Sequence, residues 1–301
     1  MSTATLTTPS LRVEDALHQL EQEARHGTAA LSRYRCSYAD WGEGPPLILI
    51  HGLADRLRSF ALPLALLHKQ FRCIAYNQPI GGDDGARLRR YNHDLLVDDL
   101  FELLDHLGLR EAAVLGHSYG STVAAKVMAA RPERITRGIF LCGFVHRRLS
   151  RREHLLAWLA RFLPGRLRHL PVRKQALERS HSWAFAHLEP ERWPVFLRET
   201  ESVPIAAMGW WAHQLHDTNV TDVLPRIAQP VLLAYGENDF LVPRAQQTEF
   251  FKRLPKAAQF EISGCGHFPM WSHPEAVAQA TRQFLLPPEC GTECCPQPCE
   301  T

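Results

Sequence analysis

Short apolar runs alternate with amphipathic stretches along both ends of the chain. Most of the runs are strand-length and apolar throughout, which is typical of buried parallel strands. The strands are predicted at residues 33–41, 47–50, 71–77, 112–115, 138–143, 230–239 and 258–263. Helical spacing of the apolar residues predicts helices over residues 11–26, 55–68, 92–107, 122–130, 243–254 and 273–286. This alternation predicts an α/β fold, with a doubly wound, mostly parallel sheet and helices on both of its faces.

The alternation of strands and helices stops at Phe144 and resumes near Pro230. The intervening stretch contains helix-like segments and proline breaks, without a strand pattern. We therefore expect a helical insert between two halves of one core domain. The predicted units are an N-terminal helical extension (1–30), the core (31–143 and 217–286), a helical cap (144–216) and a Cys/Pro-rich tail (287–301).

A sharp turn separates the apolar run 112–115 from the helix that follows it. Its sequence, G-H-S-Y-G at residues 116–120, has the G-x-S-x-G form of a nucleophile elbow. Two glycines leave room for strand and helix to close around a strained serine, and Ser118 would then project from the carboxyl edge of the sheet. The amide of Tyr119 would lie at a helix N-terminus, where it can donate to an anion. The pentapeptide by itself also fits an ordinary glycine-rich turn.

Four chemically active side chains each follow a predicted strand: His51, Ser118, Asp239 and His267. Carboxyl ends of parallel strands meet at one edge of a sheet, so we expect these residues to converge there. A serine hydroxyl needs a base within hydrogen-bond reach, and that base needs a partner that fixes its tautomer. Ser118, His267 and Asp239 are therefore the predicted catalytic nucleophile, base and orienting acid, in the chain order expected of this kind of fold.

Other residues compete for some of these roles. The carboxylates that compete with Asp239 are Glu237, Asp217 and Asp222. We interpret His117 as a structural residue of the elbow rather than a second base. His51 is expected to brace its loop by hydrogen bonding, and His273 to begin or cap a helix.

Four motifs together resemble the α/β-hydrolase fold superfamily, in its cap-bearing, serine esterase-like branch. They are the strand ending in His51-Gly52, the elbow at residues 116–120, the G-x-x-D turn at residues 236–239, and Gly266-His267. The resemblance covers residues 33–143 and 217–286. The loop at residues 77–84 departs from it, because the D-x-x-G-x-G-x-S pattern usual there lacks its aspartate and serine.

The resemblance carries several implications for the site. The backbone amides of Leu53 and Tyr119 would form the oxyanion hole, and residues 144–216 would cover the substrate pocket. The residues that would shape the elbow and its neighbouring loop are His51, Gly52, Gly116, His117 and Gly120. The aromatic content of the insert suggests pocket residues at Trp158, Trp210 and Trp211.

The implied activity is that of a serine hydrolase acting through an acyl-enzyme, on an ester or thioester of a fairly apolar small molecule. A serine at the elbow argues against the dehalogenase and epoxide-hydrolase branches, whose nucleophile is an aspartate. Hydrolysis of a C–C bond or a lactone, and cofactor-free perhydrolysis, use the same constellation and stay open. The alternative that is not an enzyme is a ligand-sensing protein with the same fold. No cofactor and no metal are implied.

Composition limits the partners that we expect. The 301 residues carry 34 Lys and Arg against 32 Asp and Glu, so nothing points to nucleic acid. No apolar run approaches the ~20 residues of a membrane span, and no secretory signal pattern is found. Scattered cysteines fit a reduced, cytoplasmic protein. The four tail cysteines lack the paired spacing of zinc sites. They are Cys290, Cys294, Cys295 and Cys299.

The first part of the insert is strongly basic. Its cations, opposed only by Glu153 and Glu178, are Arg147, Arg148, Arg151, Arg152, Arg161, Arg166, Arg168, Arg173, Lys174 and Arg179. A solvated helix face is one interpretation, and attraction of an anionic substrate, a partner or a membrane surface is the other. The apolar residues among them could form the apolar face of a helix on such a surface or face the pocket, and we favour the pocket; they are Leu155, Leu156, Trp158, Leu159 and Phe162. The oligomeric state stays open.

Overall fold

The chain folds around one eight-stranded sheet, in a computed structural model that describes residues 11–53, 55–170, 175 and 191–286. The strands are β1 (Arg25–Ala30), β2 (Arg35–Trp41), β3 (Pro46–Ile50), β4 (Arg72–Tyr76), β5 (Ala112–His117), β6 (Ile135–Leu141), β7 (Val231–Gly236) and β8 (Ala257–Ile262). Their order is β1-β2-β4-β3-β5-β6-β7-β8. β1, β2 and β4 pair antiparallel, and every pairing from β4 to β8 is parallel.

Helices cover both faces of this sheet. The described helices are α1 (Val13–Glu23), α2 (Ala61–Leu67), α3 (His93–His106), α4 (Tyr119–Ala130), α5 (Arg151–Ala160), α6 (Arg192–Thr200), α7 (Ile205–Asp217), α8 (Arg244–Arg253), α9 (Pro269–Ser272) and α10 (Pro274–Leu285). Leu100 of α3 and Val123 of α4 belong to the core on one face. Leu17, Leu62 and Val277, from α1, α2 and α10, belong to the core on the other. The predicted doubly wound α/β fold is confirmed.

The main error among the predicted elements concerns the edge strand β1, which was predicted as part of a helical extension. The helix predicted over residues 11–26 ends at Glu23, and residues 25–30 are a strand rather than part of a helical extension. Only Ala29 of this strand is buried, so it lacks the alternation by which strands are recognised. Its place comes from backbone pairing with β2, in which Ala29 lies opposite Cys36. A tertiary contact therefore determines this strand where the local pattern does not.

The described part of the insert between β6 and β7 contains the helices α5, α6 and α7, joined by loops. An antiparallel bridge between His146 and Asn219 joins its two ends, and α5 packs along α7. The two helices approach closely at Gly209, where a Cβ would lie 2.7 Å from the carbonyl oxygen of Ala157. Buried Arg192 of α6 donates to the carbonyl oxygen of Trp271, which ties the insert to the core.

Several predictions concern residues outside the described part of the chain. They are the basic residues Arg173, Lys174 and Arg179 and the tail 287–301 with its four cysteines. The boundaries given above for the extension, core, cap and tail also stay predictions. Among the described helices, none combines the length and the apolar character needed to cross a bilayer.

Candidate active site

Ser118 occupies the strained turn between β5 and α4. Its φ of 51° and ψ of −116° place it in a region that side-chain-bearing residues rarely adopt. The flanking glycines make this turn possible. A Cβ on Gly116 would collide with the carbonyl oxygen of Gly120, and one on Gly120 would collide with that of Ile50. The G-x-S-x-G sequence therefore reflects a steric requirement of the close contact among β5, β3 and α4.

The structure brings Ser118, His267 and Asp239 together. Oγ of Ser118 lies 2.9 Å from Nε2 of His267, and Nδ1 of His267 lies 2.7 Å from Oδ2 of Asp239. Each residue follows the carboxyl end of a different strand, namely β5, β8 and β7. His267 and Asp239 are both buried, so the pair that they form is shielded from solvent.

Asp239 is held as a carboxylate. Its second oxygen accepts hydrogen bonds from the backbone N–H groups of Leu241 (3.0 Å) and Val242 (2.9 Å). Burial alone would raise the pKa of Asp239, but the positive charge and hydrogen bond of His267, with the Val242 N–H, bring it below its ordinary value. A carboxylate can only accept, so it selects the His267 tautomer with hydrogen on Nδ1. Nε2 is then the nitrogen that can accept the Ser118 proton.

The three competing carboxylates lie elsewhere. Glu237 accepts hydrogen bonds from the Ser263 hydroxyl and the Gly264 N–H, both at 2.9 Å, and so braces the loop before His267. Asp217 lies 3.7 Å from Nε2 of His213 on the insert, and Asp222 is exposed in a turn. Among these carboxylates, only Asp239 contacts the imidazole of His267.

His117 contacts the backbone of the residue that we predict to be the base. Its Nε2 donates to the carbonyl oxygen of His267 at 2.8 Å, and its Nδ1 lies 3.5 Å from Oδ2 of Asp55. Both side chains are buried. Asp55 was not predicted as a site residue; it was placed at the start of the helix predicted over residues 55–68, whereas in the structure it lies in the loop before residues 57–60. These contacts fit the structural role that the sequence predicts for His117.

One group of potential metal ligands lies at this place: His117, Cys142 and His267 have ligand atoms within 4.8 Å of one another. Burial raises the pKa of the Cys142 thiol well above its ordinary value, which opposes the thiolate form that metals prefer. Both ring nitrogens of His267 already face Ser118 and Asp239, and Nε2 of His117 faces a carbonyl. The donor set therefore fits a hydrogen-bond network better than a metal.

The loop after β3 lies directly against the elbow. A Cβ on Gly52 would lie 2.9 Å from Nδ1 of His117 and 3.3 Å from Cβ of Ser118. The backbone N–H groups of Leu53 and Tyr119 have no acceptor within the described part of the chain. Tyr119 is also the first residue of α4, where backbone N–H groups favour negative charge. Both amides can therefore donate hydrogen bonds to an anion beside Ser118.

Gln78 is a site residue that the sequence analysis missed. Its backbone N–H donates to Nε2 of His51 (3.0 Å), and its side-chain amide donates to the His51 carbonyl oxygen (2.6 Å). Nδ1 of His51 in turn donates to the Gly52 carbonyl oxygen at 2.8 Å. Burial lowers the pKa of His51 to about 4, so this imidazole is neutral at pH 7. His51 therefore braces the Gly52 loop; the only signal for Gln78 was the unusual loop at residues 77–84.

A cavity of about 580 Å³ opens beside Ser118 and His267. Its walls are mainly apolar and come from the insert and the core alike. The insert contributes Leu156, Ala157, Ala160, Phe196, Met208 and Ala212. Phe144 lies where the insert begins, and the core contributes Leu53, Leu241, Val242 and Phe268.

The tryptophans expected in the pocket are mostly outside it. Trp158 is 45% exposed and does not line the cavity, so its predicted role is wrong. Trp210 is also absent from the cavity wall, and the guanidinium of Arg161 lies 4.7 Å from its ring centroid. Trp211 is buried beside the ring of Tyr119, donates to the Pro79 carbonyl oxygen, and borders a small space next to Leu53 instead. Trp210 and Trp211 serve packing because α7 turns them away from the large cavity, whereas Trp158 of α5 faces solvent.

Solved structures and curated proteins share this architecture. A thermophilic esterase from Thermogutta terrifontis matches with a TM-score of 0.72 at 22% identity, over 87% of this chain and 98% of the other. The enol-lactonase of Burkholderia xenovorans LB400 matches with a TM-score of 0.73 at 21% identity, over 86% and 99%. The uncharacterized hydrolase YugF of Bacillus subtilis is 22% identical over 79% of this chain and 89% of its own length.

Because the sequence identities are low, the solved structures establish only that the folds are alike. A match to a family model shows the family itself. The model described as the alpha/beta hydrolase fold matches residues 45–274, which include the elbow, the acid turn and the histidine loop. That range contains all three residues that the structure joins by hydrogen bonds. The chain therefore belongs to the alpha/beta hydrolase fold family, and it is a hydrolase enzyme.

Proposed function

We propose that the chain is a serine hydrolase that cleaves esters or thioesters of fairly apolar acids through an acyl-enzyme. The observation that carries the proposal is the 2.9 Å contact between Oγ of Ser118 and Nε2 of His267, at the wall of an apolar cavity. A hydroxyl next to an oriented imidazole is the arrangement that nucleophilic catalysis by serine requires.

The reaction follows from the positions of these atoms. Nε2 of His267 takes the Ser118 proton as Oγ attacks the carbonyl carbon of the substrate. The oxyanion that develops accepts hydrogen bonds from the amides of Leu53 and Tyr119. His267 then gives the proton to the leaving group, which departs and leaves an acyl group on Ser118. Water enters, loses a proton to His267 and releases the acid, while Asp239 stabilises the imidazolium in both halves of the cycle.

The cavity supports an apolar acyl group as the substrate. The polar groups near it include the triad itself and the pair of Arg147 and Glu153, whose charged atoms lie 3.7 Å apart. An apolar chain gains free energy by leaving water for such walls, in rough proportion to its buried area. A lactone fits the same machinery, and the enol-lactonase named above has the same fold.

A cytoplasmic location stays a prediction.

Labelling with a fluorophosphonate, followed by mass spectrometry of the adduct, tests the nucleophile. We expect one adduct, on Ser118, and turnover that falls on the order of 10⁴–10⁶-fold in Ser118→Ala. The matched control is Ser59→Ala, a buried serine outside the site whose hydroxyl donates to a backbone carbonyl. It should keep both labelling and turnover.

A panel of esters, thioesters and lactones of graded acyl length then identifies the substrate class. We expect the ratio of kcat to KM to rise with acyl length for open-chain esters and thioesters. Faster turnover of lactones than of open esters would instead favour the lactonase alternative. The ligand-sensor alternative would be favoured over the serine hydrolase if Ser118 formed no adduct, no substrate turned over, and ligands raised the thermal stability.

A further inference from the structure

Helix α5 carries apolar side chains on two opposite faces. Leu156, Ala157 and Ala160 line the cavity. The other face, which we call the outer face, has the same helical spacing and meets solvent. Its residues are Leu155 (56% exposed), Trp158 (45%), Leu159 (44%) and Phe162 (68%), the last in the turn that follows the helix.

The exposed apolar side chains of the described residues are concentrated on this outer face and directly beside it. Six of the seven exposed large hydrophobic side chains lie between Leu155 and Leu163. A contiguous apolar patch of this kind indicates an interaction site, because scattered single residues are the norm on soluble surfaces. Leu156, which is 64% exposed and also lines the cavity, connects the patch with the substrate cavity.

The stretch that carries the patch is predominantly basic. Residues 144–170 contain a single acidic residue, Glu153, which caps α5 and lies near Arg147. The same stretch contains seven arginines: Arg147, Arg148, Arg151, Arg152, Arg161, Arg166 and Arg168. Arg151 and Arg152 are exposed and lie one turn before Leu155. An apolar face with a basic margin is typical of a helix that lies in the plane of an anionic membrane interface.

The same charges disfavour a second copy of the chain as the occupant. A two-fold dimer through the outer face would place the arginines of both copies against each other. Like charges held together at an interface oppose association. An anionic surface has the opposite sign and offers an apolar layer beneath its charges, so it matches both properties of the patch.

We propose that α5 docks on anionic lipid surfaces through its outer face. Trp158 and Phe162 enter the boundary between headgroups and acyl chains, and the arginines bind lipid phosphates. Leu156 at the cavity mouth then faces the lipid, from which an acyl ester can enter the cavity. The docking stands independently of the proposed serine chemistry, whereas this route for the substrate rests on it.

Sedimentation with vesicles tests the docking, in a Ser118→Ala background so that lipid hydrolysis does not interfere. We expect affinity for vesicles of phosphatidylcholine with phosphatidylglycerol to exceed that for phosphatidylcholine alone by on the order of 10-fold, and to fall with added salt. Leu155→Ser with Phe162→Ser should weaken binding on the order of 10-fold or more. Arg151→Gln with Arg152→Gln should weaken only the binding to anionic vesicles.

The matched control is Arg89→Gln with Arg90→Gln, an exposed arginine pair on the core, which should bind vesicles like the parent protein. Equal binding by the outer-face variants and the parent, or no binding to anionic vesicles at all, would overturn the proposal. So would light scattering that shows a dimer which Leu155→Ser with Phe162→Ser dissociates.

Measurements of turnover distinguish the lipid-docking proposal from the serine-hydrolase proposal. With Ser118 intact, the outer-face variants should hydrolyse a dissolved short-chain ester at the parent rate, and a vesicle-embedded ester more slowly. If Ser118 proves unreactive while vesicle binding follows expectation, only the serine mechanism fails. If Ser118 reacts but vesicles do not bind, only the docking fails.

Discussion

His117 donates a hydrogen bond from Nε2 to the backbone carbonyl oxygen of His267, at 2.8 Å and across 150 residues of sequence. The elbow that carries Ser118 is thereby attached to the loop that carries the imidazole. The opposite nitrogen of His117 faces Asp55, from the loop after β3, at 3.5 Å. Three loops from three strand ends thus meet at one buried side chain, which sets the distance between Ser118 and His267.

We predict that His117→Ala lowers kcat by on the order of 10–100-fold and changes KM little. Loss of the hydrogen bond lets the His267 loop shift, and a displacement of about 1 Å at reacting atoms can cost on the order of 10²-fold. Steady-state kinetics with the rate of fluorophosphonate labelling of Ser118 measure the effect. His117→Gln, which keeps a donor, should restore part of the rate. An unchanged labelling rate in His117→Ala would refute the positioning role.

A second prediction concerns the steric requirement at the elbow. Gly120→Ala would set a methyl group against the carbonyl oxygen of Ile50, at the contact between α4 and β3. Because neither element can withdraw without disturbing the core, we expect a loss of stability of about 2 kcal/mol or more, with turnover reduced in the protein that still folds. Urea unfolding measures this loss. Ala130→Ser, at the exposed end of the same helix, is the control and should stay within about 0.5 kcal/mol of the parent.

A third prediction concerns pH and the buried imidazole of His93. Its Nε2 donates to the hydroxyl of Thr122, which donates to the Tyr119 carbonyl oxygen, so it supports the first turn of α4. Burial, with the nearby charge of Lys126, lowers the pKa of His93 from 6.5 to about 3. The unfolded chain therefore binds a proton first as pH falls, and the folded state loses stability below about pH 6.5.

His93→Gln tests this linkage, because glutamine keeps a hydrogen-bond donor but cannot titrate. We expect the stability advantage of the parent over the variant to shrink by roughly 2 kcal/mol between pH 7.5 and pH 5. Urea titrations at both values measure the difference, in which titrations common to both proteins cancel. Ala130→Ser, which changes no titratable group, is the control and should show no comparable change. A constant difference for His93→Gln would disprove the linkage.

The core and the convergence of Ser118, Asp239 and His267 could be predicted from sequence because their signals are local. Strand, glycine-flanked serine and helix follow one another within about 20 residues, and Asp239 and His267 come directly after strands. A parallel sheet converts those separate strand ends into one edge, so convergence needs no further information. Asp55 and Gln78 could not be found in this way, because the side chains that they contact lie far away in sequence.

The orientation of α5 relative to the cavity could not be predicted from the sequence pattern. Apolar residues lie on both of its faces, so spacing alone cannot tell which face meets the cavity. The close contact at Gly209 of α7, which would place a Cβ 2.7 Å from Ala157 and Arg161 backbone atoms, fixes the rotation of α5. With that rotation, Ala157 faces inward and Trp158 outward. The prediction that all the apolar residues from Leu155 to Phe162 face the pocket was therefore wrong for most of them.

The last prediction tests whether the cavity holds the acyl group. Ala212 of α7 lines the cavity and is only half-buried, so Ala212→Trp should fill part of the space without disrupting the sheet. We expect the ratio of kcat to KM to fall by on the order of 10-fold or more for a long-chain ester and to change little for an acetyl ester, since only the longer chain needs the filled volume. Ala212→Ser, which adds little volume, is the control. An equal loss for both esters in Ala212→Trp would show that the chain binds elsewhere, because a blocked acyl pocket discriminates by length.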